Sequence, residues 1–143
     1  MSDLSKAQKS LFEIAKRVSE LSTYSNTHTK SRVKIGCVVV QGHRIISSGY
    51  NSNKTNPLQQ KYNRLRFDED SPHKMHAEVA ALSPLINNRS IDFSKVKLFM
   101  YREKMDHTLG KSRPCKSCMA LIKDLGIRDI YYTTDDGYCH ESI

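Results

Sequence analysis

The sequence predicts a single α/β domain, because helical and strand patterns alternate along one chain of 143 residues. A chain of this length supports one hydrophobic core. With 38% apolar and 27% charged residues, its composition is typical of a globular protein. We therefore treat residues 1–143 as one domain, with an N-terminal helix at about 4–22 and the main body at about 33–143.

An amphipathic helix and a β-hairpin form the first part of the predicted domain. Residues 4–22 repeat apolar side chains at helical spacing. Residues 33–40 are rich in β-branched side chains, which predicts a buried strand. A turn at residues 41–43 and a returning strand at residues 44–49 complete the hairpin.

Two polar segments of the chain, residues 51–73 and 103–113, are predicted as loops. The first contains Asn56-Pro57 and Ser71-Pro72 and has little periodicity. Loops of this length in a small domain are usually functional or mobile. The elements around them are a helix at 75–87, a strand at 96–101, a helix at 115–125 closed by Gly126, a strand at 127–133, and, after a turn at 135–137, an antiparallel strand at 138–143.

Composition also limits the class of protein. Apolar runs such as residues 37–40 are too short to span a bilayer. The N-terminal residues 1–6 lack the apolar stretch of a secretory signal, so we expect a cytoplasmic protein without a membrane partner. Cys37 is expected to be a small core residue, and no role is assigned to Cys139.

The net charge of +8 favours an anionic partner, such as a nucleotide phosphate or a nucleic acid. A basic surface that only maintains solubility is the alternative. The basic residues form three groups along the chain: Lys30, Arg32 and Lys34; Lys61, Arg64 and Arg66; and Arg102, Lys104, Lys111, Arg113 and Lys116.

The strongest chemical signal is a pair of motifs, His76-Ala77-Glu78 and Pro114-Cys115-Lys116-Ser117-Cys118, each at the start of a predicted helix. Cys115 and Cys118 are three residues apart, so both thiols can face one metal ion from the first helical turn. The partial positive charge of a helix N-terminus favours thiolates. One imidazole and two thiolates give the three protein ligands of a catalytic zinc site, with the fourth position left for water.

Glu78 is placed to move protons at such a site. Zinc lowers the pKa of a bound water to about 7. A carboxyl group two residues beyond His76 can lie beside that water without binding the metal, and there it acts as a general base and acid. His-x-Glu followed by Pro-Cys-x-x-Cys is the signature of the zinc deaminases.

Other interpretations of the two motifs remain open. A Cys-x-x-Cys pair alone is also typical of redox sites. A structural zinc site would need a fourth protein ligand. The candidates for that ligand are Cys37, Cys139, His73, His107 and His140.

From about Val33 to the C-terminus, the chain resembles the cytidine and deoxycytidylate deaminase superfamily. The resemblance implies a three-layer α/β/α fold with a mixed sheet of about five strands. It implies one Zn²⁺ per chain, held by His76, Cys115 and Cys118, with Glu78 as the proton shuttle. The turn at residues 135–137 indicates the branch whose last two strands are antiparallel, as in cytidine deaminases, and not the parallel branch of the tRNA adenosine and deoxycytidylate deaminases.

The resemblance also implies how a substrate is held. The backbone amide of Ala77 would contact the carbonyl of the base, and Asn51 would contact the sugar and base. The alternative for Asn51 is a turn-forming residue. Two departures concern the loops beside the site: residues 102–113 separate the third strand from Pro114, and residues 52–75 contain no cysteine for a second zinc.

The implied activity is hydrolytic deamination of a cytosine nucleoside or nucleotide, such as cytidine, deoxycytidine or dCMP, to the uracil form. The resemblance also implies a homo-oligomer. Two alternatives are kept. The net charge of +8 favours a deaminase that acts on bases in single-stranded DNA or RNA. The other alternative is a zinc-binding module without catalysis.

Overall fold

The computed structural model describes residues 4–22, 33–67 and 75–143, with the backbone alone at residues 65–67. One five-stranded sheet, in the order β2-β1-β3-β4-β5, is covered by four helices. The helices are α1 (Lys6–Ser19), α2 (Pro57–Phe67), α3 (Ala77–Leu82) and α4 (Lys116–Leu125). The strands are β1 (Lys34–Gln41), β2 (Arg44–Tyr50), β3 (Val96–Glu103), β4 (Asp129–Thr134) and β5 (Gly137–Ser142).

The sheet is mixed, as predicted. Strand β1 is antiparallel to both β2 and β3, and β3 is parallel to β4. Strands β4 and β5 are antiparallel, with Asp129 opposite Ser142 and Thr134 opposite Gly137. The predicted antiparallel ending of the sheet is therefore confirmed.

Helices lie on both faces of the sheet, which confirms the three-layer α/β/α class. On one face, Phe12 of α1 packs edge-on against Phe99 of β3, with ring centroids 5.3 Å apart. On the other face, side chains of α3 and α4 form the larger core with β1 and β3; Leu82, Leu121 and Ile122 are fully buried there. The larger core lies directly behind the helix starts that carry the two motifs.

Local sequence signals explain where α1 begins and where α4 ends. Helix α1 follows Ser5, whose hydroxyl accepts a hydrogen bond from the backbone of Gln8 while the Gln8 side chain accepts one from Ser5. Helix α4 ends at Gly126, which has a φ of 93°, a left-handed conformation that glycine adopts without strain. The predicted cap at Gly126 is confirmed.

The prediction of a loop throughout residues 51–73 is wrong, because α2 occupies Pro57–Phe67. The Oδ1 of Asn56 accepts hydrogen bonds from the backbone amides of Leu58 and Gln59, and Pro57 stands at the first helical position. Proline is well suited to that position because its φ is already helical. The Asn56-Pro57 pair that indicated a loop is therefore a helix start, and residues 68–73 of the predicted loop lie outside the described residues.

The other boundaries shift by a few residues. The helix predicted at 75–87 is the shorter α3, followed by one 3-10 turn at Ser83–Leu85. Strand β3 continues to Glu103, and the chain then folds back so that Leu109 bridges to Glu103. In the described parts of the chain, no helix has the length and apolar character needed to cross a membrane.

Candidate metal centre and cavity

A cavity of about 450 Å³ opens at the end of the central strands of the sheet, where β3 ends. Strand β1 begins at the same end of the sheet because it is antiparallel to β3, with Lys34 opposite Glu103. Ile35 of β1 and Arg102 of β3 both line the cavity. Ligand sites in α/β sheets are commonly found at the carboxyl ends of parallel strands, and β3 and β4 are the parallel pair here.

Both motifs are placed at helix starts beside this cavity. His76 is the residue before α3, and Cys115 is the residue before α4, each with extended backbone. Cys118 lies in the first turn of α4 and is buried. The helix starts that the sequence predicted for both motifs are thus present.

The three side chains lie close enough to share one metal ion. The Nδ1 of His76 is 3.3 Å from the Sγ of Cys118 and 3.5 Å from the Sγ of Cys115. Tetrahedral zinc, with Zn–S near 2.3 Å and Zn–N near 2.0 Å, separates such nitrogen and sulfur atoms by about 3.5 Å. The donor set and its spacing therefore fit a tetrahedral zinc ion with one position left over.

The two thiols differ strongly in acidity. The hydrogen bond from Cys118 lowers the pKa of Cys115 to about 4, and the hydrogen bond with His76 acts in the same direction. The same bond to Cys115, together with burial, raises the pKa of Cys118. Cys115 is therefore the more acidic of the two thiols. A thiolate is the form that binds zinc.

His76 and Glu78 interact electrostatically within the same site. Burial favours neutral His76, but the hydrogen bond with Cys115 and the charge of Glu78 outweigh it and raise the pKa of His76. Glu78 is only 5% exposed, and burial raises its pKa above the ordinary value although His76 opposes this. A carboxyl group whose pKa is raised towards neutrality is suited to both accepting and donating a proton.

Ala77 and Asn51, the predicted substrate contacts, both line the cavity. As the first residue of α3, Ala77 has a backbone N–H without an acceptor inside the helix. Asn51 Oδ1 accepts from the backbone of Ile35 at 2.9 Å, and its Nδ2 donates to the carbonyl of Val33 at 2.6 Å. Asn51 thus ties the start of β1 to the end of β2 at the wall of the cavity.

No fourth metal ligand joins the cluster among the residues that the structure describes. The cluster of side chains within mutual reach contains His76, Cys115 and Cys118 alone. The other candidates are placed elsewhere: Cys37 is buried in β1, Cys139 and His140 are in β5, and His107 is in the 103–113 segment. His73 lies outside the described residues.

Three of the predicted basic residues reach the rim of the cavity: Arg102, Lys111 and Arg113. The stem of Arg102 packs on Gly110, where an added Cβ would lie 3.1 Å from it, and its Nη1 donates to the carbonyl of Lys111 at 3.3 Å. Lys104 of the same sequence group instead pairs with Asp135 at 3.1 Å. Residues of one basic group in the sequence therefore lie in two places: Arg102, Lys111 and Arg113 at the cavity, and Lys104 in an ion pair with Asp135.

Sequence reasoning missed two polar residues that build the site. Gln59 of α2 is fully buried, and its Oε1 accepts a hydrogen bond from the backbone of His76 at 3.1 Å. Ser112 is buried between β3 and β4, where its hydroxyl donates to the carbonyl of Met100. A glutamine in a polar stretch carries no sequence signal for burial, so only the fold reveals this role.

Comparison with known proteins supports the same family. The sequence model described as the cytidine and deoxycytidylate deaminase zinc-binding region matches residues 6–134. A search of curated protein sequences gave no match.

Several solved structures share the fold. A cytidine deaminase from Burkholderia pseudomallei has a TM-score of 0.64 at 16% identity, over 97% of this chain and 93% of that one. A dCMP deaminase from the cyanophage S-TIM5, in complex with dCMP and dUMP, has a TM-score of 0.60 at 19% identity, over 93% and 85%. A cytidine deaminase from Mycobacterium leprae has a TM-score of 0.54 at 17% identity, over 96% and 94%. With a family match across most of its length and the corresponding fold, this chain belongs to the cytidine and deoxycytidylate deaminase zinc-binding family.

Proposed function

We propose that the chain is a zinc-dependent hydrolytic deaminase that converts a cytosine nucleotide of the dCMP type to the uracil nucleotide. The observation that carries the proposal is one arrangement: a cluster of three metal-type donors, of which His76 and Cys115 line the cavity, stands beside a buried carboxyl group, Glu78, in the wall of the same cavity, whose rim is basic. His76, Cys115 and Cys118 would hold one Zn²⁺ per chain. When bound, zinc supplies a Lewis acid that makes a water molecule acidic near neutral pH.

Glu78 is the group that moves protons in this proposal. Its carboxylate takes a proton from the attacking water and delivers it to the ring nitrogen beside the amino-bearing carbon. The oxygen of water forms the new bond to that carbon. Glu78 then transfers the second proton of this water to the amino group, the C–N bond breaks, and ammonia leaves. One water is consumed and one ammonia is released.

The walls of the cavity supply orientation. The backbone N–H of Ala77 lies at the start of α3, where it can donate to the carbonyl of the base. The Nδ2 of Asn51 can donate to the sugar or the base. Apolar side chains of Ile35 and Met75 line the same cavity and limit the access of bulk water.

The basic rim favours a nucleotide over a nucleoside, although the antiparallel pairing of β4 and β5 is the ending that the resemblance associates with cytidine deaminases. Arg102 and Lys111 lie on the cavity wall, and among the described residues neither forms an ion pair with a carboxylate. Arg113, in contrast, forms a salt bridge with Glu141. A 5′-phosphate bound by Arg102 and Lys111 would form charge-assisted hydrogen bonds, which are stronger than neutral ones. The cyanophage dCMP deaminase of similar fold was solved with dCMP and dUMP.

Ammonia release tests the proposal. The zinc-loaded protein is incubated with dCMP, CMP, deoxycytidine and cytidine, and the monophosphates are expected to have the higher kcat/KM. Arg102→Met should raise the KM for dCMP by about 10-fold or more, the cost of a charged hydrogen bond, while the KM for deoxycytidine changes little. No ammonia from any of the four compounds would overturn the proposal.

Two controls separate the alternatives. Glu78→Gln preserves shape, so it should retain one zinc per chain and lose turnover by at least about 100-fold; unchanged turnover would contradict the role of Glu78. A non-catalytic zinc module would bind zinc without releasing ammonia.

A labelled single-stranded oligonucleotide tests the alternative of a nucleic-acid deaminase. Binding with a steep salt dependence, together with release of ammonia from the oligonucleotide but from none of the four small compounds, would favour that alternative.

A further inference from the structure

Helix α2 contacts the histidine half of the candidate metal centre through a buried polar chain. The Oε1 of Gln59 accepts a hydrogen bond from the backbone N–H of His76 at 3.1 Å. The Nε2 of Gln59 donates to the Oδ1 of Asn63, one turn further along the helix, also at 3.1 Å. Gln59 and Asn63 are 0% and 3% exposed, so bulk water does not compete for these bonds.

The residue before His76 is held by the segment that leads into α2. The backbone N–H of Met75 donates to the carbonyl of Lys54 at 2.9 Å, and the carbonyl of Met75 accepts from Ser52 at 3.0 Å. His76 is the residue that caps α3: its carbonyl accepts a hydrogen bond from the backbone N–H of Ala80 at 3.0 Å, but its own N–H has no acceptor inside the helix and donates to Gln59. Its orientation therefore depends on contacts from residues 52–59.

The same helix also contacts the cysteine half of the centre. The hydroxyl of Tyr62 donates to the Oδ2 of Asp124 in α4 at 2.8 Å. Tyr62 is three residues beyond Gln59, so both side chains project from neighbouring positions on one face of α2. The side chain of Tyr62 is only 8% exposed, because this face of α2 packs on α4, the helix whose start carries the two cysteines.

We propose that α2 sets the spacing between the two halves of the metal centre, and that Gln59 is the positioning residue for His76. Gln59 holds the turn that carries the imidazole, and Tyr62 holds the helix that carries the thiols. Gln59 does not touch the metal or the substrate; it acts through the backbone of His76. The inference rests on the metal ligands named in the proposed function, but it concerns the affinity for metal and not the substrate.

Metal affinity provides a test that is independent of turnover. Zinc is titrated out of the folded protein with a competing chelator, well below the unfolding temperature. The visible absorption of the Co²⁺-substituted protein reports the geometry of the ligands. Gln59→Met keeps the length of the side chain and removes both hydrogen bonds. Gln60→Met is the matched control, because it makes the same change at the next residue of α2, which is half-buried and lines a separate surface.

We expect Gln59→Met to weaken zinc binding by about 10-fold to 100-fold, the range seen when a residue that supports a metal ligand is removed. Its Co²⁺ spectrum should shift, and excess zinc should restore kcat with an unchanged KM. Gln60→Met should stay within about twofold of the wild type, since no contact to either half of the centre is lost. A Gln59→Met protein with wild-type zinc affinity and spectrum would overturn the inference, even if it were less stable.

Tyr62→Phe keeps the test decisive if Gln59→Met does not fold. It removes one hydroxyl and keeps the packed ring, so we expect a smaller loss of zinc affinity, about threefold. Unchanged affinity in a folded Tyr62→Phe protein would then overturn the inference. If zinc affinity responds as expected but the wild type deaminates no cytosine compound, the proposed function fails and the role of α2 stands.

Discussion

The guanidinium of Arg113 donates two hydrogen bonds to the carboxylate of Glu141, through Nε and Nη2, each at 2.9 Å. Tyr132 donates to the same carboxylate at 3.0 Å. The pair joins the end of the 103–113 segment to β5 and offsets the charge of one of the three basic residues at the cavity rim. Glu141 thereby limits the positive potential at the cavity rim.

Removal of this acidic charge should favour a nucleotide over a nucleoside. One elementary charge about 8 Å from a phosphate is worth about 0.5 kcal/mol in water, which is a factor of about two. Glu141→Gln is therefore expected to lower the KM for dCMP about twofold at low salt and less at high salt, because salt screens the charge. The KM for deoxycytidine, measured under the same conditions, should not change.

Glu13→Gln is the matched control, because it removes one acidic charge from the exposed surface of α1 on the opposite face of the sheet. It should leave both KM values as in the wild type. An equal effect of the two substitutions would assign the change to net charge and contradict a local role of Glu141.

The same pair predicts how stability depends on pH. The hydrogen bond from Arg113 lowers the pKa of Glu141 below its ordinary value of 4.5, with a smaller contribution from Tyr132 in the same direction. A carboxyl group whose pKa is lower in the folded state stabilises the fold above pH 4.5, and this stabilisation is lost as the pH falls through the folded-state pKa.

Urea unfolding at pH 7 and pH 3 measures this effect. The wild type should exceed Glu141→Gln in free energy of unfolding at pH 7, and the difference should shrink at pH 3, below the ordinary pKa of 4.5, where Glu141 of the unfolded chain is protonated. A difference that stays constant between the two pH values would show that the carboxylate charge is not what stabilises the contact.

The sequence predicts those parts of the site whose residues lie close together along the chain. Cys115 and Cys118 are one helical turn apart, and the start of α4 alone brings their thiols together. Gly126 closes the same helix by a local conformational preference. His76 comes from a different helix, and its position beside the two thiols depends on the packing of α3 and α4 around the sheet, which follows from the order of elements.

Helix α2 and the composition of the cavity rim could not be predicted, for two physical reasons. The buried face of α2 is polar, with Gln59, Tyr62 and Asn63, so its helical period does not show as a hydrophobic period. At the rim, Arg102 faces the cavity while Lys104 pairs with Asp135. The path of the chain after β3 separates these two residues, and that path depends on contacts distant in sequence.

Two buried cysteines allow a matched test of the metal centre. Cys118 belongs to the cluster with His76, whereas Cys37 is fully buried in β1 and lies outside the cluster. Burial raises the pKa of Cys37, so it remains a neutral thiol. Cys118→Ala should lose zinc, measured by metal analysis of the purified protein, and with it the release of ammonia.

Cys37→Ala should keep one zinc per chain and lose only packing. The removal of one buried sulfur atom is expected to lower the free energy of unfolding by about 1–2 kcal/mol. Loss of zinc in Cys37→Ala together with retention in Cys118→Ala would place the metal at a different set of residues. A chelator should reproduce the Cys118→Ala result in the wild type, and added zinc should reverse it.

The buried hydroxyl of Thr133 anchors the 103–113 segment to the end of β3. The Oγ1 of Thr133 donates to the carbonyl of Gly110 at 2.7 Å and accepts from the backbone N–H of Arg102 at 3.1 Å. It also lies 2.9 Å from the hydroxyl of Ser112. Thr133 is fully buried, so these groups have no access to water if its hydroxyl is removed.

Thr133→Val keeps the shape of the side chain and removes the hydroxyl that the Gly110 carbonyl and the Arg102 N–H contact, which should lower the free energy of unfolding by about 1–3 kcal/mol. Thermal unfolding would show a decrease in Tm of about 3–10 °C. Because the same bonds hold Arg102 and Gly110 beside the cavity, the KM for dCMP should rise more than the KM for deoxycytidine. Thr134→Val, at the next and partly exposed residue, should change both quantities less, since within the described residues its Oγ1 forms hydrogen bonds with the turn at residues 136–137 alone. Equal effects of the two substitutions would show that the hydroxyl of Thr133 does not hold the segment in place.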